Sequence, residues 1–120
     1  MRADQKPVYD LEERTFRFAK DVRLFCRRLP KNLSLIEDTK QLIKSSGSCG
    51  ANYIEANEAL SKKDFVMRIK ISRKEAKENI YWLRLIAESN DGVDQTEALR
   101  LINESTELLK IFSSIIEKSK

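Results

Sequence analysis

Apolar and polar positions along the 120-residue chain alternate with a helical period almost from end to end. Leu11, Thr15, Phe18, Val22, Phe25 and Leu29 recur at three- and four-residue spacing, which places them on one stripe of an α-helix. Phe65, Ile69, Ser72, Ala76, Ile80, Leu83 and Ala87 form a second such stripe. Ala98, Leu101, Ile102, Ser105, Leu108, Leu109, Phe112, Ile115 and Ile116 form a third. Three apolar faces need a fourth to close a core, and Ile36, Ile43, Gly47, Gly50 and Ile54 are expected to supply it.

Local signals divide the pattern. Asp10 with Glu13 three residues on reads as a capping box, and Pro30 stops the segment that follows. A second segment begins near Asn32 or Ser34 and runs to Leu60, and Ser61 with Asp64 opens a third. The run "NDGVD" is the clearest turn in the chain, and Asp94 with Glu97 starts the last helix. These signals predict an all-α, antiparallel up-and-down four-helix bundle, with helices over roughly 10–29, 33–60, 62–89 and 95–118. A single domain is expected, preceded by a flexible N-terminal segment, residues 1–8.

The core does not use up the apolar residues. Met67, Ile71, Trp82 and Leu85 fall away from the third helix's core side, and Phe16 and Leu24 from the first helix's. Leu35, Leu42, Cys49, Tyr53 and Leu60 lie beside the second helix's stripe, where a broad buried face explains them as well as an interface does. A bundle helix needs an apolar face only about three residues in seven wide. Exposed Trp82, Met67, Ile71 and Phe16 would therefore mark an oligomer interface, with Leu24 and Leu85 beside them.

Charge is segregated by helix. Arg17, Lys20, Arg23 and Arg27 share one face of the first helix, opposite its apolar stripe. Lys63, Lys70, Lys74, Lys77 and Arg84 share a face of the third, with Tyr81 among them. The formal net charge of +4 permits an anionic partner without requiring one. A solvated outer face explains both stripes as ordinary surface. Against that, like charges one turn apart destabilise a helix, and an aromatic within the stripe offers a base something to stack on. Nucleic acid bound by phosphate neutralisation is the favoured partner class. A membrane surface is disfavoured, because the basic faces lack a bulky apolar flank.

Little in the chain suggests catalysis. There is no histidine, so His-based triads are excluded, and Cys26 and Cys49 show neither CxxC nor zinc-ligand spacing. Glu55 with Glu58, and Glu75 with Glu78, have the spacing of carboxylate ligands, but the Glu-x-x-His partner of a di-iron bundle cannot exist here. The small-residue stretch "SSGSCGAN", Ser45–Asn52, lacks the strand, lysine and spacing of a phosphate loop. Its Ser46/Gly50 and Gly47/Ala51 pairs read instead as a place where a neighbouring helix comes close. No enzyme, cofactor or metal is expected. The lack of an apolar N-terminal core or of a membrane-length apolar run makes a cytoplasmic location the expectation.

Two stretches carry a family resemblance. "SCGANYIEA" followed by "LSKKDF" resembles the S-I-P-A-N-I-A-E-G signature, and the basic turn after it, of four-helix-bundle proteins encoded in intervening sequences of bacterial 23S ribosomal RNA genes. Asn52 and Glu55 match that signature's Asn and Glu, and Glu78 in "SRKEAKENIYWLRLI" matches a recurrent Glu. The opening "YDLEERTFRFAKDVRLFCRRLP" is similar to the family's first helix, while Gly50 and Ala56 replace its usual Pro and Gly. The resemblance implies a subunit of a ring-like homopentamer, related in fold to the accessory variability proteins of diversity-generating retroelements. Those bind nucleic acid and a reverse transcriptase through a basic surface, which makes both candidate partners. No catalytic residue carries over. Asn52, Glu55 and Glu78, beside Gly47 and Gly50, are expected to hydrogen-bond across the core or an interface, with ligand contact in a pore or cleft the alternative. A protein-interaction or structural assembly module with no nucleic-acid role is the alternative function.

Overall fold

The structure, a computed structural model, describes residues 10–120. The expected flexible segment, residues 1–8, lies outside the described residues. Four helices follow one another: α1 Leu11–Arg27, α2 Leu33–Asn57, α3 Lys62–Ser89 and α4 Gln95–Lys118. Each begins at the residue whose side chain can satisfy a free amide of the first turn. Asp10, Asn32, Ser61 and Asp94 accept hydrogen bonds from the backbone N–H groups of Glu13, Leu35, Asp64 and Glu97 respectively. Gly92 takes a φ of +76°, the left-handed conformation that reverses the chain between α3 and α4.

α2 ends at Asn57, three residues short of the predicted Leu60. Ser61 must be extended to cap α3, so residues 58–60 are spent on the reversal, and Leu60 is left fully exposed. α1 likewise ends before Leu29, which still turns its side chain into the core.

Sequential helices are neighbours, α1 with α2, α2 with α3 and α3 with α4, and α4 returns to α1. α1 and α3 therefore lie on one diagonal. The bundle is flattened, with Cα extents of 44 × 32 × 19 Å. Phe18, Val22 and Phe25 from α1, Ile69, Leu83 and Ile86 from α3, and Leu101, Leu108 and Phe112 from α4 fill the centre. Tyr53 of α2 reaches across to Phe112 of α4, with ring centroids 6.1 Å apart.

α2 corrects the sequence reading. Its buried face is Leu35, Leu42, Ser45, Ser46, Cys49 and Ala56, and of the apolar side chains in the expected Ile36, Ile43, Gly47, Gly50, Ile54 stripe only Ile43 packs against the core. Ile36 is 42% and Ile54 47% exposed. The two stripes are offset by about one residue, so periodicity alone did not separate them. The leucine-bearing one removes more apolar area from water when it turns inward.

A polar chain runs through the core. Ser45 Oγ donates to Asn79 Oδ1 (2.6 Å), Asn79 Nδ2 donates to Ser105 Oγ (3.3 Å), and Ser105 Oγ donates to the Ala76 carbonyl (2.9 Å). Ser72 Oγ donates to the Cys49 carbonyl at 2.9 Å. The chain joins α2, α3 and α4 through side chains with almost no solvent exposure.

Candidate nucleic-acid interface

α3 holds the candidate surface. Its stretch from Lys62 to Lys77 carries seven cations, Lys62, Lys63, Arg68, Lys70, Arg73, Lys74 and Lys77. Among the described residues none of them has a carboxylate within 4.0 Å. Arg68 is turned inward, donating to Asn52 Oδ1 at 3.0 Å. Lys70, Arg73, Lys74 and Lys77 instead line one shallow cleft of about 400 Å³ at the α3–α4 seam, floored by Leu109 and Ser113 of α4. Core packing through Ile69, Ser72, Ala76 and Leu83 fixes the rotation of α3 and so aims these residues outward.

Three members of the predicted set are already engaged. Arg17 pairs with Glu13 and Arg84 with Glu88, each at 3.2 Å within its own helix. Tyr81 is 58% exposed, but its ring meets Trp82 edge-on, with centroids 4.9 Å apart. On α1, Arg23 Nη1 donates to the Ala19 carbonyl, while Lys20 and Arg27 make no ion pair among the described residues. Lys63 sits at the start of α3 beside Met67 and Lys70. Because α1 and α3 are diagonal, a single chain does not merge their basic faces into one surface. Arg73 was missed in the sequence because it lies toward the α4 side of the lysine stripe, where only the seam makes it part of a cleft.

The expected apolar surface is real on both helices. Phe16 is 62% exposed, Leu24 45% and Met67 47%. Ile71 and Leu85 are half-buried. Trp82 corrects its expectation: it is half-buried against the core, and its ring N–H has no partner among the described residues.

The signature residues divide. Asn52 does bridge helices, receiving Arg68 while its own Nδ2 donates to the Ser48 carbonyl at 3.0 Å. Glu55 and Glu78 are exposed and make no interhelix hydrogen bond among the described residues, which corrects the expectation of a core role. Asn79, one residue beyond Glu78, holds that role instead, because position 79 lies on the buried side of α3 with Ser72 and Ala76. Gly50 is where α1 and α2 close up: a Cβ there would sit 2.8 Å from Thr15 Oγ1. At Gly47 a Cβ would meet only the tip of Arg23, at 3.4 Å.

The cysteines are poor nucleophiles. Burial pushes the Cys26 thiol up to about 11 and the Cys49 thiol up to about 12, so both stay protonated near neutrality. Among the described residues no group of three or more Cys, Asp or Glu side chains is placed to hold a metal. No described helix is long and apolar enough to cross a membrane.

A capped, flattened four-helix bundle, with a basic stripe that has no carboxylate partner among the described residues and two outward apolar patches, defines an all-α helical-bundle protein. Residues 9–114 match the family described as 23S rRNA-intervening sequence protein, and the chain belongs to that family. A crystal structure of a protein of unknown function from the S23 ribosomal protein family of Bacteroides thetaiotaomicron has the same fold, with a TM-score of 0.78 and 30% identity. The match covers 88% of this chain and 97% of that one. A comparison with curated proteins found no match.

Proposed function

We propose that this protein is a non-enzymatic, homo-oligomeric helical scaffold of the cytoplasm that binds nucleic acid through the basic stripe of α3. The observation that carries the reading is the set of cations between Lys62 and Lys77 with no carboxylate partner among the described residues, four of which, Lys70, Arg73, Lys74 and Lys77, gather into one cleft. Elsewhere on the surface basic residues such as Arg17, Lys40, Arg84 and Lys110 are neutralised by acids on their own helices. A stretch with few local counter-charges attracts condensed anions, and a phosphodiester backbone supplies them in a row. The family's description ties its members to 23S ribosomal RNA, so RNA is the polyanion to test first. In an oligomer the stripes multiply, and the faces of Lys20, Arg23 and Arg27 on α1 add to them. A reverse transcriptase remains a candidate protein partner under the same reading.

A salt series on a single-stranded RNA oligomer, followed by fluorescence anisotropy, tests the proposal. Each cation removed from the stripe should lower the slope of log affinity against log salt by about 0.7. Lys70→Ala and Lys74→Ala should each do so. Lys110→Ala, which removes a lysine already paired with Glu107, should not. No binding at low salt, or equal slopes for all three variants, would overturn the reading. The outward apolar patches on Phe16 and Met67 favour a second reading, a module that only assembles, and a native oligomer without RNA affinity would support it.

A further inference from the structure

The cleft at the α3–α4 seam is fixed in shape by the core beneath it. Next to Lys77, Ser105 Oγ of α4 donates to the Ala76 carbonyl of α3 at 2.9 Å and accepts from Asn79 Nδ2 at 3.3 Å. Ser105 and Asn79 are fully buried, so these bonds hold the two banks at one spacing. Both banks lie well inside their helices, which are 28 and 24 residues long. A preformed cleft suits a partner that is itself rigid, since neither then loses much conformational freedom on binding.

The lining is basic and offers no aromatic ring. Lys70, Arg73, Lys74 and Lys77 stand over Leu109 and Ser113. Proteins that hold single strands stack successive bases on aromatic side chains. Tyr81 lies one turn past Lys77 with its ring against Trp82, and Phe65 is packed against the core. Acids are kept away on the α4 bank too. Glu97 and Glu104 lie about 160–180° around α4 from Ser113, where Arg100 and Arg14 hold them. Glu117, one turn beyond Ser113, is paired with Lys120 at 3.1 Å.

Charge density then selects the form of the nucleic acid. Lys70 and Lys77 are about 10.5 Å apart in helix rise. In that length one strand of a duplex places about three phosphates, and both strands about six. Four cations exceed what one strand supplies, and phosphates from two strands can match them. The cations also stand in two rows. Arg73 and Lys77 form one toward α4, and Lys70 and Lys74 form another about 60° further around α3. Two rows suit the two backbones that border a groove.

Ser113 adds a contact to sugar. Ser105, Thr106 and Ser119 of the same helix donate to backbone carbonyls, whereas the Ser113 hydroxyl makes no hydrogen bond among the described residues. An RNA duplex displays its 2′-hydroxyls along a wide, shallow minor groove, and a DNA duplex has none to display.

We infer that the α3–α4 cleft takes the sugar–phosphate backbone of base-paired RNA, with phosphates on the four cations and a ribose 2′-hydroxyl on Ser113. The inference rests on the nucleic-acid reading above and names its substrate class.

Fluorescence anisotropy with three labelled probes tests it: a blunt RNA duplex, one of its strands alone, and a DNA duplex of the same sequence. The strand is chosen so that it does not fold on itself. The RNA duplex should bind about tenfold more tightly than either of the others at matched salt, because each offers the cleft fewer contacts. A single strand bound as tightly as the RNA duplex would overturn the inference, and so would a DNA duplex bound as tightly. In both cases the nucleic-acid reading survives. No binding of any probe at low salt would remove both. Ser113→Ala gives a second readout, and alanine keeps the helix. It should narrow the gap between the RNA and DNA duplexes at an unchanged salt slope, and a variant with the full wild-type gap would overturn the 2′-hydroxyl contact.

Discussion

Gly50 and Thr15 set the distance between α1 and α2. A Cβ at position 50 would lie 2.8 Å from Thr15 Oγ1 and 3.1 Å from Thr15 Cβ, inside van der Waals contact with a side chain on a rigid helix. Thr15 cannot turn away easily, because its hydroxyl is held by the Leu11 carbonyl at 2.7 Å. Glycine in a helix gives up about 1 kcal/mol of propensity relative to alanine. Gly50→Ala recovers that and yet should destabilise the protein by about 1–3 kcal/mol net, through overpacking. Urea unfolding checks this, and Gly50→Ala with Thr15→Ala should recover part of the loss. A Gly50→Ala protein as stable as wild type would show that the helices can move apart freely. The small-residue stretch is therefore two features: Gly50 serves the fold, while Gly47 lines an open groove.

At the scale of the elements, α3 organises the bundle, and Asn79 is its central polar contact. It receives Ser45 of α2 and donates to Ser105 of α4, so one side chain fixes the register of three helices. Asn79→Ala should cost about 1–3 kcal/mol, the range for removing a partner from buried hydrogen-bonding groups. Chemical denaturation measures it, and an unchanged midpoint would show that the two serines are content with the backbone carbonyls they already reach. Much of this scale was legible in the sequence, since caps are local chemistry. Asp10, Asn32, Ser61 and Asp94 announce the four starts without reference to anything distant. The buried faces of α1, α3 and α4 were legible for a similar reason, each having one dominant stripe. α2 has two, and choosing between them requires its neighbours. The site was legible in part: Lys70, Lys74 and Lys77 share a face by spacing alone. Arg73 joins them only through Leu109 and Ser113 on another helix. Asn79 was hidden by the family signature, which pointed to the adjacent Glu78, although its place between Ser72, Ala76 and Leu83 on the helical wheel could have revealed it.

For the whole molecule, the α1–α4 seam differs in kind from the other three. Every interhelix ion pair among the described residues lies on it or at its ends: Arg14 with Glu104 (2.7 Å), Arg100 with Asp21 (3.0 Å) and Arg28 with Asp94 (3.6 Å). Arg14 grips Glu104 with two hydrogen bonds, the stronger arrangement for a guanidinium and a carboxylate. Glu97 completes the group by holding Arg100 toward Asp21, and its hydrogen bond from Arg100 lowers its carboxyl below the usual 4.5. A lowered carboxyl contributes stability that is present above the unfolded value and lost as pH falls through the folded one. Thermal melts from pH 7 down to pH 3 should therefore show an acid-side loss below about pH 4.5 that is smaller in Glu97→Gln. An identical acid limb in both proteins would show that this carboxylate does not contribute.

The polar bridge and the charged seam share an origin in the chain. Glu104 and Ser105 are consecutive residues of α4, one answering Arg14 on the outside and the other answering Asn79 within. As a nascent chain leaves the ribosome, α1 emerges first with Arg14 and Asp21 unmatched, and α3 follows with half of the Asn79 amide unmatched. Both wait for one stretch of the last helix, Arg100 to Ser105. One short piece of α4 thus completes the core and latches the outside together, so that a chain interrupted before residue 100 carries neither the Ser105 that answers Asn79 nor the Arg100 and Glu104 that answer Asp21 and Arg14.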